Sequence, residues 1–132
     1  MEEELLLDGN YLEIGGDIKK LIHTIRGKQV ILDYDVAMLY HYETKRINET
    51  VNRNKERFPE NFCFKLTEEE LKNNWSQVAT SSDEGKNKHR WKKYIPYAFT
   101  EQGIAMLSGL LKNEIAVQVS INIMNAFVEL KN

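Results

Sequence analysis

The sequence predicts an α+β fold: a small sheet with a helix-turn-helix-like unit and two C-terminal helices. A short apolar run, Val30–Leu32, follows the turn Arg26–Lys28 and predicts a strand. Two short helical segments come next, and two segments with helical spacing of apolar residues end the chain. Because neither a linker nor a repeat divides residues 18–132, we expect one domain there, preceded by an acidic lead-in at residues 1–17.

The first element of the domain is ambiguous in the sequence. Ile18–Ile25 has apolar residues at helical spacing, but it is also rich in β-branched residues, which favour strands. The segment is therefore compatible with a helix or with the first strand of a hairpin that pairs with Val30–Leu32.

A short helix is predicted after this strand. Asp33 or Asp35 is a candidate N-cap, and Val36–Tyr40 supplies the helical residues. His41–Glu43 would form the turn, with His41 at the position where a glycine is often found. These residues make the first half of a helix-turn-helix unit.

The second helix of the unit is predicted over residues 45–56, with Thr44 as its candidate N-cap. Ile47 and Val51 lie four residues apart and mark a buried side, while the other sides are polar. Pro59 should end the helix, because proline disfavours helix in the residue before it.

The middle of the chain predicts shorter elements. Asn61–Leu66 alternates apolar and polar residues as a half-buried strand does. Thr67 and Glu70 have the spacing of a capping box, which predicts a helix to about Asn74. After a polar loop, Trp91–Tyr97 is predicted as a strand.

Two helices are predicted at the C-terminus. Thr100 should cap a helix through about Leu111, and Asn113 should cap a helix over residues 113–131. The last helix has a stripe of apolar side chains, which would pack against the domain or form a homodimer seam. The stripe consists of Ile115, Val119, Ile123, Phe127 and Leu130.

Charges are distributed unevenly along the chain. The net charge is −2, and residues 1–17 carry six acidic and no basic side chains. Residues 44–57 and 86–93 carry five basic side chains each, so together they hold ten of the 18 Lys and Arg residues. A phosphate backbone senses such local patches, because charges are screened beyond about 10 Å.

The second predicted helix has the chemistry of a DNA-reading helix. In a helix-turn-helix protein this helix enters the major groove, where arginine can bind guanine and asparagine can bind adenine. We expect Lys45, Arg46 and Arg53 to contact phosphates or guanine, and Asn48 and Asn52 to read bases. The basic loop, residues 86–93, would act as a wing that lies against the phosphate backbone of the DNA. The candidate DNA-binding residues are Thr44, Lys45, Arg46, Asn48, Asn52, Arg53, Lys55, Lys86, Lys88 and Arg90. The alternative is an ordinary helical hairpin with a solvated face and a flexible loop.

Signals of catalysis are weak. Asp33 with Glu43–Lys45 loosely imitates a metal-dependent nuclease, but those enzymes hold their acids on adjoining strands and here both flank helices. His23, His41, His89 and Cys63 lack metal-ligand spacing. We therefore expect no enzymatic activity, no cofactor and no metal.

The location of the protein follows from its cysteine usage and hydropathy. Cys63 is the one cysteine, so no internal disulfide can form. No run approaches the ~18 apolar residues of a membrane helix, and the acidic N-terminus is unlike a signal peptide. We expect a cytoplasmic protein without membrane contact.

Several strings of the sequence, read in order, resemble one family. They are Ile25–Asp33, Ala37–Tyr40, Glu43–Glu49, Asn52–Asn54, Arg57–Phe62, Leu66–Glu70, Ser76–Ser82 and Tyr97–Leu107. Over about residues 18–130 the chain resembles the KilA-N-related DNA-binding domain of phages and bacteria, the ORF-six N-terminal domain family.

The resemblance implies sequence-dependent binding of double-stranded DNA in a phage or prophage regulatory or antirepressor-like protein. Such domains usually stand before a variable partner domain, and the family contributes no catalytic residues. The alternative is a protein-interaction module that captures a phage regulatory protein without binding DNA. Residues 1–17 and the C-terminal stripe would then be its working surface.

Overall fold

Four short strands and the helices around them make up the structure, a computed structural model that describes residues 18–74 and 94–131. The strands are β1 (Ile22–Ile25), β2 (Lys28–Leu32), β3 (Cys63–Lys65) and β4 (Tyr97–Phe99). The helices are α1 (Asp33–Tyr40), α2 (Thr44–Arg53), α3 (Glu68–Asn73), α4 (Glu101–Ser108) and α5 (Ala116–Lys131), and a 3-10 helix spans Lys55–Arg57. The predicted α+β class is confirmed.

The strands form one antiparallel sheet in the order β1-β2-β4-β3. Both alternatives left open for Ile18–Ile25 occur, each in part: residues 18–21 are helical, and β1 then forms a hairpin with β2. Its turn residues Arg26 (φ 58°) and Gly27 (φ 71°) are both left-handed, as a tight two-residue hairpin turn requires. The guanidinium of Arg26 stacks on the ring of Phe64 at 4.1 Å and binds Glu70, which holds this residue in place.

Both faces of the sheet are covered, because neighbouring residues of a strand point to opposite sides. Ile31 and Phe99 lie in a core that includes buried residues of α1, α2, α4 and α5. Leu32 and Ala98, their neighbours in the chain, lie in a second core with Leu71 of α3. The helix-turn-helix unit therefore rests on one face of the sheet, and α3 rests on the other.

The predicted caps of the first two helices are wrong. α1 begins at Asp33 with Leu32 at the N-cap, so neither Asp33 nor Asp35 caps it. The Asp33 carboxylate instead accepts hydrogen bonds from residues far along the chain. α2 begins at Thr44, with Glu43 rather than Thr44 at the N-cap. The α-helix also ends earlier than predicted, at Arg53, and the chain tightens into the 3-10 helix before Pro59.

Of the described residues in the strand predicted at Trp91–Tyr97, Tyr97 lies in a strand and the prediction is wrong for the others. Residues 94–96 are not in a strand, and β4 begins only at Tyr97, after Pro96. Proline has no N–H for a strand ladder, and the N–H of Tyr97 donates to Asp33 at 3.0 Å. Residues 91–93 lie outside the described residues. The strand predicted at Asn61–Leu66 exists but is shorter, as β3.

The C-terminal helices agree with the prediction in part. The Thr100 cap and the capping box of Thr67 and Glu70 are confirmed. α4 ends at Ser108, before the predicted end. Asn113 does not cap α5, which begins at Ala116; its amide donates to the carbonyl of Tyr40 at 2.8 Å.

The predicted apolar stripe of the last helix packs mainly against the domain. Val119, Ile123 and Phe127 are buried in the core, whereas Leu130 remains 38 % exposed near the helix end. Within the described parts of the chain, the helices are too short or too polar to cross a lipid bilayer.

Candidate nucleic-acid interface

A sharp turn sets α2 against α1. His41 adopts the left-handed conformation (φ 63°, ψ 41°) that glycine usually supplies at such a turn. Its N–H donates to the carbonyl of Met38 at 3.2 Å, and the N–H of Tyr42 donates to that of Ala37 at 2.9 Å. Histidine is one of the few non-glycine residues enriched in this conformation, so the missing glycine does not prevent the turn.

Two apolar residues attach α2 to the domain. Ile47 is fully buried and Val51 is 5 % exposed, and both belong to the core beneath α1. A helix turns by about 100° per residue, so this anchor leaves the opposite side in solvent. The predicted contact residues that are exposed there or just beyond the end of α2 are Lys45, Arg46, Asn52, Arg53 and Lys55.

One flank of α2 lies beside Tyr94. The half-buried Asn48 donates from Nδ2 to the Tyr94 hydroxyl at 3.4 Å, and that hydroxyl donates to Oδ2 of Asp33 at 2.5 Å. Asn48, predicted to read bases, is therefore also tied to the domain. The contact fixes this flank of α2 relative to the sheet, since Asp33 directly follows β2.

An open concavity of about 430 Å³ lies between α2 and Tyr94. Its lining brings together four predicted contact residues and adds an acidic one. The lining residues are Thr44, Lys45, Asn48, Glu49, Asn52 and Tyr94. Beside the carboxylate of Glu49, the site therefore combines a cation, two amides and two hydroxyls, which are groups that bind phosphates and base edges.

Arg46 lies on the other flank of α2. Its guanidinium stands over the ring of Tyr42 at 5.9 Å, and the Tyr42 hydroxyl accepts from the N–H of Lys112 at 3.3 Å. The turn thus connects to the segment between α4 and α5. Arg53 and Lys55 lie at and just beyond the C-terminal end of α2, so the structure spreads the basic residues over the whole helix.

The structure reveals two buried acids beside this surface. Asp33 is fully buried and Asp35 is 3 % exposed. Burial raises the pKa of Asp33, while hydrogen bonds from Tyr94 and Tyr97 lower it in part. Burial, with the Asp33 charge second, raises the pKa of Asp35 to about 7.

Sequence reasoning considered Asp33 only as a helix cap or a metal ligand and missed its partners. The position of this acid directly after an apolar strand was the signal in the sequence that could have indicated a buried carboxylate. Asp33 is buried whereas Glu43 and Lys45 are exposed, so the three nuclease-like residues do not share an accessible surface. Across the described ranges, no three His, Cys, Asp or Glu side chains are grouped as metal ligands.

The predicted wing residues Lys86, Lys88 and Arg90 lie outside the described residues. Tyr94 is the first described residue after them, and Lys92 and Lys93 precede it directly in the sequence. The basic segment, residues 86–93, is therefore followed in the chain by a residue that lies against α2.

Comparison with protein families gives one match. A family model described as the ORF6N domain matches residues 20–110, more than half of the chain. This range contains β1 to β4 and α1 to α4, and with them the whole helix-turn-helix unit. Searches of curated proteins and of solved structures found no significant match.

Proposed function

Because the chain belongs to the phage-type ORF6N domain family and exposes a basic helix, we propose that it binds duplex DNA in a sequence-dependent manner. It acts as a non-enzymatic module of a phage or prophage regulatory or antirepressor-like protein, in the bacterial cytoplasm. One observation carries the proposal most directly: Ile47 and Val51 anchor α2 while the opposite side presents Lys45 and Arg53 to solvent.

The dimensions of α2 suit the major groove. An α-helix with its side chains is about 10–12 Å across, and the major groove of B-DNA is about 12 Å wide. Lys45 and Arg46 lie in the first turn, the part of a recognition helix that reaches base edges. Arg53 in the last turn then meets the phosphate backbone at the edge of the groove.

The two asparagines of α2 have different roles in this proposal. Asn52 is exposed, and its amide can bind N6 and N7 of an adenine together. The Nδ2 group of Asn48 is bound to Tyr94, but its Oδ1 has no hydrogen-bond partner among the described residues. Because this Oδ1 is buried, Asn48 reads a base only after its side chain turns away from Tyr94, and in its described position it holds α2 against the domain.

The basic segment adds phosphate contacts beside α2. Lys86, Lys88 and Arg90 carry three of the five positive charges of residues 86–93, and this segment directly precedes Tyr94, which bonds Asn48. Phosphate contacts of this kind raise affinity for every sequence alike and fix the orientation of the reading helix. The negative net charge does not oppose this, since the acidic excess lies elsewhere in the chain.

Binding to a labelled random duplex, followed by fluorescence anisotropy at about 50 and 200 mM salt, tests the proposal. We expect the affinity to fall by orders of magnitude across this range, because several phosphate counterions are released on binding. Absence of binding at the lower salt concentration would overturn the proposal.

Sequence dependence is tested by selecting preferred duplexes from a random pool. We expect Asn52→Ala to flatten the preference by about 1–3 kcal/mol at the base it reads. Asn73→Ala is the matched control, because Asn73 is an exposed asparagine on α3, away from the basic helix. Equal preference in both variants would remove Asn52 from the reading surface.

A further inference from the structure

Exposed large apolar side chains are concentrated on one helix. Among residues 18–74 and 94–131 there are five, and four of them lie on α5. They are Val117 (70 % exposed), Ile121 (46 %), Val128 (46 %) and Leu130 (38 %). Single exposed apolar residues are ordinary on a protein surface, but a contiguous group marks a contact site.

Three of these residues, together with the half-buried Met124, form a stripe along the helix. Val117, Ile121, Met124 and Val128, here called the outer stripe, are spaced by four, three and four residues. At about 100° per residue they fall within an arc of about 60°. Spacing that alternates four and three is the pattern of helices that pair side by side.

The outer stripe is distinct from the stripe that the sequence offered as a dimer seam. Val119, Ile123 and Phe127 of that stripe are buried in the core of their own domain. They are therefore unavailable to a partner. The opposite side of α5 carries the apolar residues that remain accessible.

The surroundings of the outer stripe indicate its partner. Residues 115–128 contain no charged side chain, and the polar groups beside the stripe include the amides of Asn125 and Gln118, of which Gln118 also donates to Asn122 on its own helix at 3.1 Å. An amide both donates and accepts, so it can pair with its own copy. A two-fold contact sets the same surface patch of the two copies against itself, and this patch carries no charge that would repel its copy.

From the spacing, exposure and self-complementary chemistry of this surface, we propose that the outer stripe binds the outer stripe of a second copy of the chain. The charges just beyond it are already paired within the chain: Glu129 with Lys19 at 2.8 Å, and Lys131 with Glu101. They do not need a partner from outside.

The size of the surface predicts a reversible dimer. α5 has 16 residues and is about 24 Å long. One helix pair of that length covers less than the ~800 Å² per partner of a standard stable interface. Association should therefore depend strongly on protein concentration.

Pairing through α5 leaves α2 accessible. α1 packs against both helices, and its Tyr40 hydroxyl bonds Ser120 of α5 at 2.6 Å, so α1 rather than α2 lies next to α5. If α2 binds DNA, as proposed above, the dimer presents two reading helices related by a two-fold axis. That consequence depends on the proposed function, whereas the dimer itself does not.

Sedimentation equilibrium of the full chain from about 1 to 500 μM, without DNA, tests the dimer. We expect the wild-type weight-average mass to rise toward twice the chain mass, and Ile121→Lys to stay monomeric. Met38→Lys is the matched control, because Met38 is 55 % exposed and lies on α1. A wild-type protein that stays monomeric over the whole concentration range overturns the proposal. The same result is expected where another segment or another protein covers the outer stripe, so that case overturns it too. Equal association of both lysine variants also overturns it.

Cysteine crosslinking locates the contact independently. Cys63 is buried and burial raises its thiol pKa to about 12, so the native thiol should react little. We expect Ile121→Cys or Met124→Cys to form a disulfide-linked dimer on mild oxidation, and Asn73→Cys on α3 to remain monomeric. Equal crosslinking of all three variants contradicts a specific contact. DNA binding by monomeric Ile121→Lys shows separately whether the proposed function holds without the dimer.

Discussion

The hydroxyl of Tyr94 donates a hydrogen bond to Oδ2 of Asp33 at a distance of 2.5 Å. The same carboxylate oxygen accepts the N–H of Tyr97 at 3.0 Å, and the Tyr94 hydroxyl accepts from Asn48 of α2. One buried carboxylate thus connects the start of α1, the chain that enters β4 and α2. This group fixes how α2 sits relative to β2 and β4.

Tyr94→Phe should therefore affect both stability and DNA binding. The substitution keeps the ring but removes a donor from a fully buried carboxylate, which should cost about 1–3 kcal/mol in the free energy of unfolding. We expect weaker DNA binding with an unchanged dependence on salt, because no phosphate contact is lost. Urea unfolding and anisotropy titrations measure the two effects.

Tyr40→Phe is the matched control for this variant. It also removes a buried tyrosine hydroxyl bond, the one to Ser120, but on the side of α1 that faces α5. We expect a comparable loss of stability with DNA affinity retained. Equal DNA affinity in the two variants would show that the Tyr94 hydroxyl does not position α2.

Asp35 should make stability depend on pH. Burial, with Asp33 second, raises its folded pKa from 3.8 to about 7. Between these values the folded chain binds more protons than the unfolded chain, so stability falls as pH rises through this window. Asp35→Asn should remove that slope and exceed the wild type in stability at pH 8, by up to about 4 kcal/mol.

The comparison of the two proteins at acidic pH completes this test. The difference between Asp35→Asn and the wild type should shrink toward pH 4, where Asp35 is protonated in the folded chain. Unfolding in urea across the pH range measures it. A difference that does not vary with pH would contradict a raised pKa.

Gly103 is required by a close approach of the backbone. A Cβ at this position of α4 would stand 2.0 Å from the carbonyl oxygen of Phe62 and 2.9 Å from its carbon. Gly103→Ala should therefore lower the free energy of unfolding by about 3 kcal/mol or more. Gly109→Ala is the control, since its nearest neighbour would be the Met106 oxygen at 3.7 Å. Similar stability of both variants in thermal unfolding would contradict the contact.

The ion pair between Arg26 and Glu70 should stabilise the protein above acidic pH. The Arg26 guanidinium hydrogen-bonds Glu70 at 2.5 and 3.0 Å and holds the pKa of that carboxyl below its usual value. The stabilisation by this ion pair is therefore present above the ordinary pKa of Glu. It is lost as pH falls through the lower pKa that Glu70 has in the folded chain.

Glu70→Gln isolates this pair, because glutamine can keep the capping box. We expect a loss of about 1 kcal/mol at pH 7, since both side chains are partly exposed, and a smaller loss near pH 3. Equal losses at both pH values in urea unfolding would contradict the pair as the cause.

Local signals predicted much of this fold. Thr67 with Glu70 and Thr100 could be identified as caps because the residues they bind are three positions away. Ile47 and Val51 identified the buried side of α2 because helix geometry fixes which residues share a side. The basic side of α2 could then be identified as the side that carries neither of these two apolar residues.

Contacts between distant parts of the chain could not be predicted in the same way. Asp33 is a good N-cap residue by type, but its partners lie 61 and 64 residues away, at Tyr94 and Tyr97. Asn113 likewise bonds the carbonyl of Tyr40, 73 residues away, instead of capping α5. The sequence therefore identified the basic helix but not the buried group that holds it.

The central claim is that the basic side chains of α2 bind duplex DNA, and a comparison of salt dependence tests it most directly. Anisotropy titrations should compare Lys45→Ala/Arg46→Ala/Arg53→Ala with Lys28→Ala/Lys65→Ala/Lys72→Ala, which loses the same charge from exposed lysines outside α2. We expect the first variant to lower the slope of log affinity against log salt by about 2–3, and the second to leave it unchanged. Equal slopes in both variants would contradict DNA binding through α2.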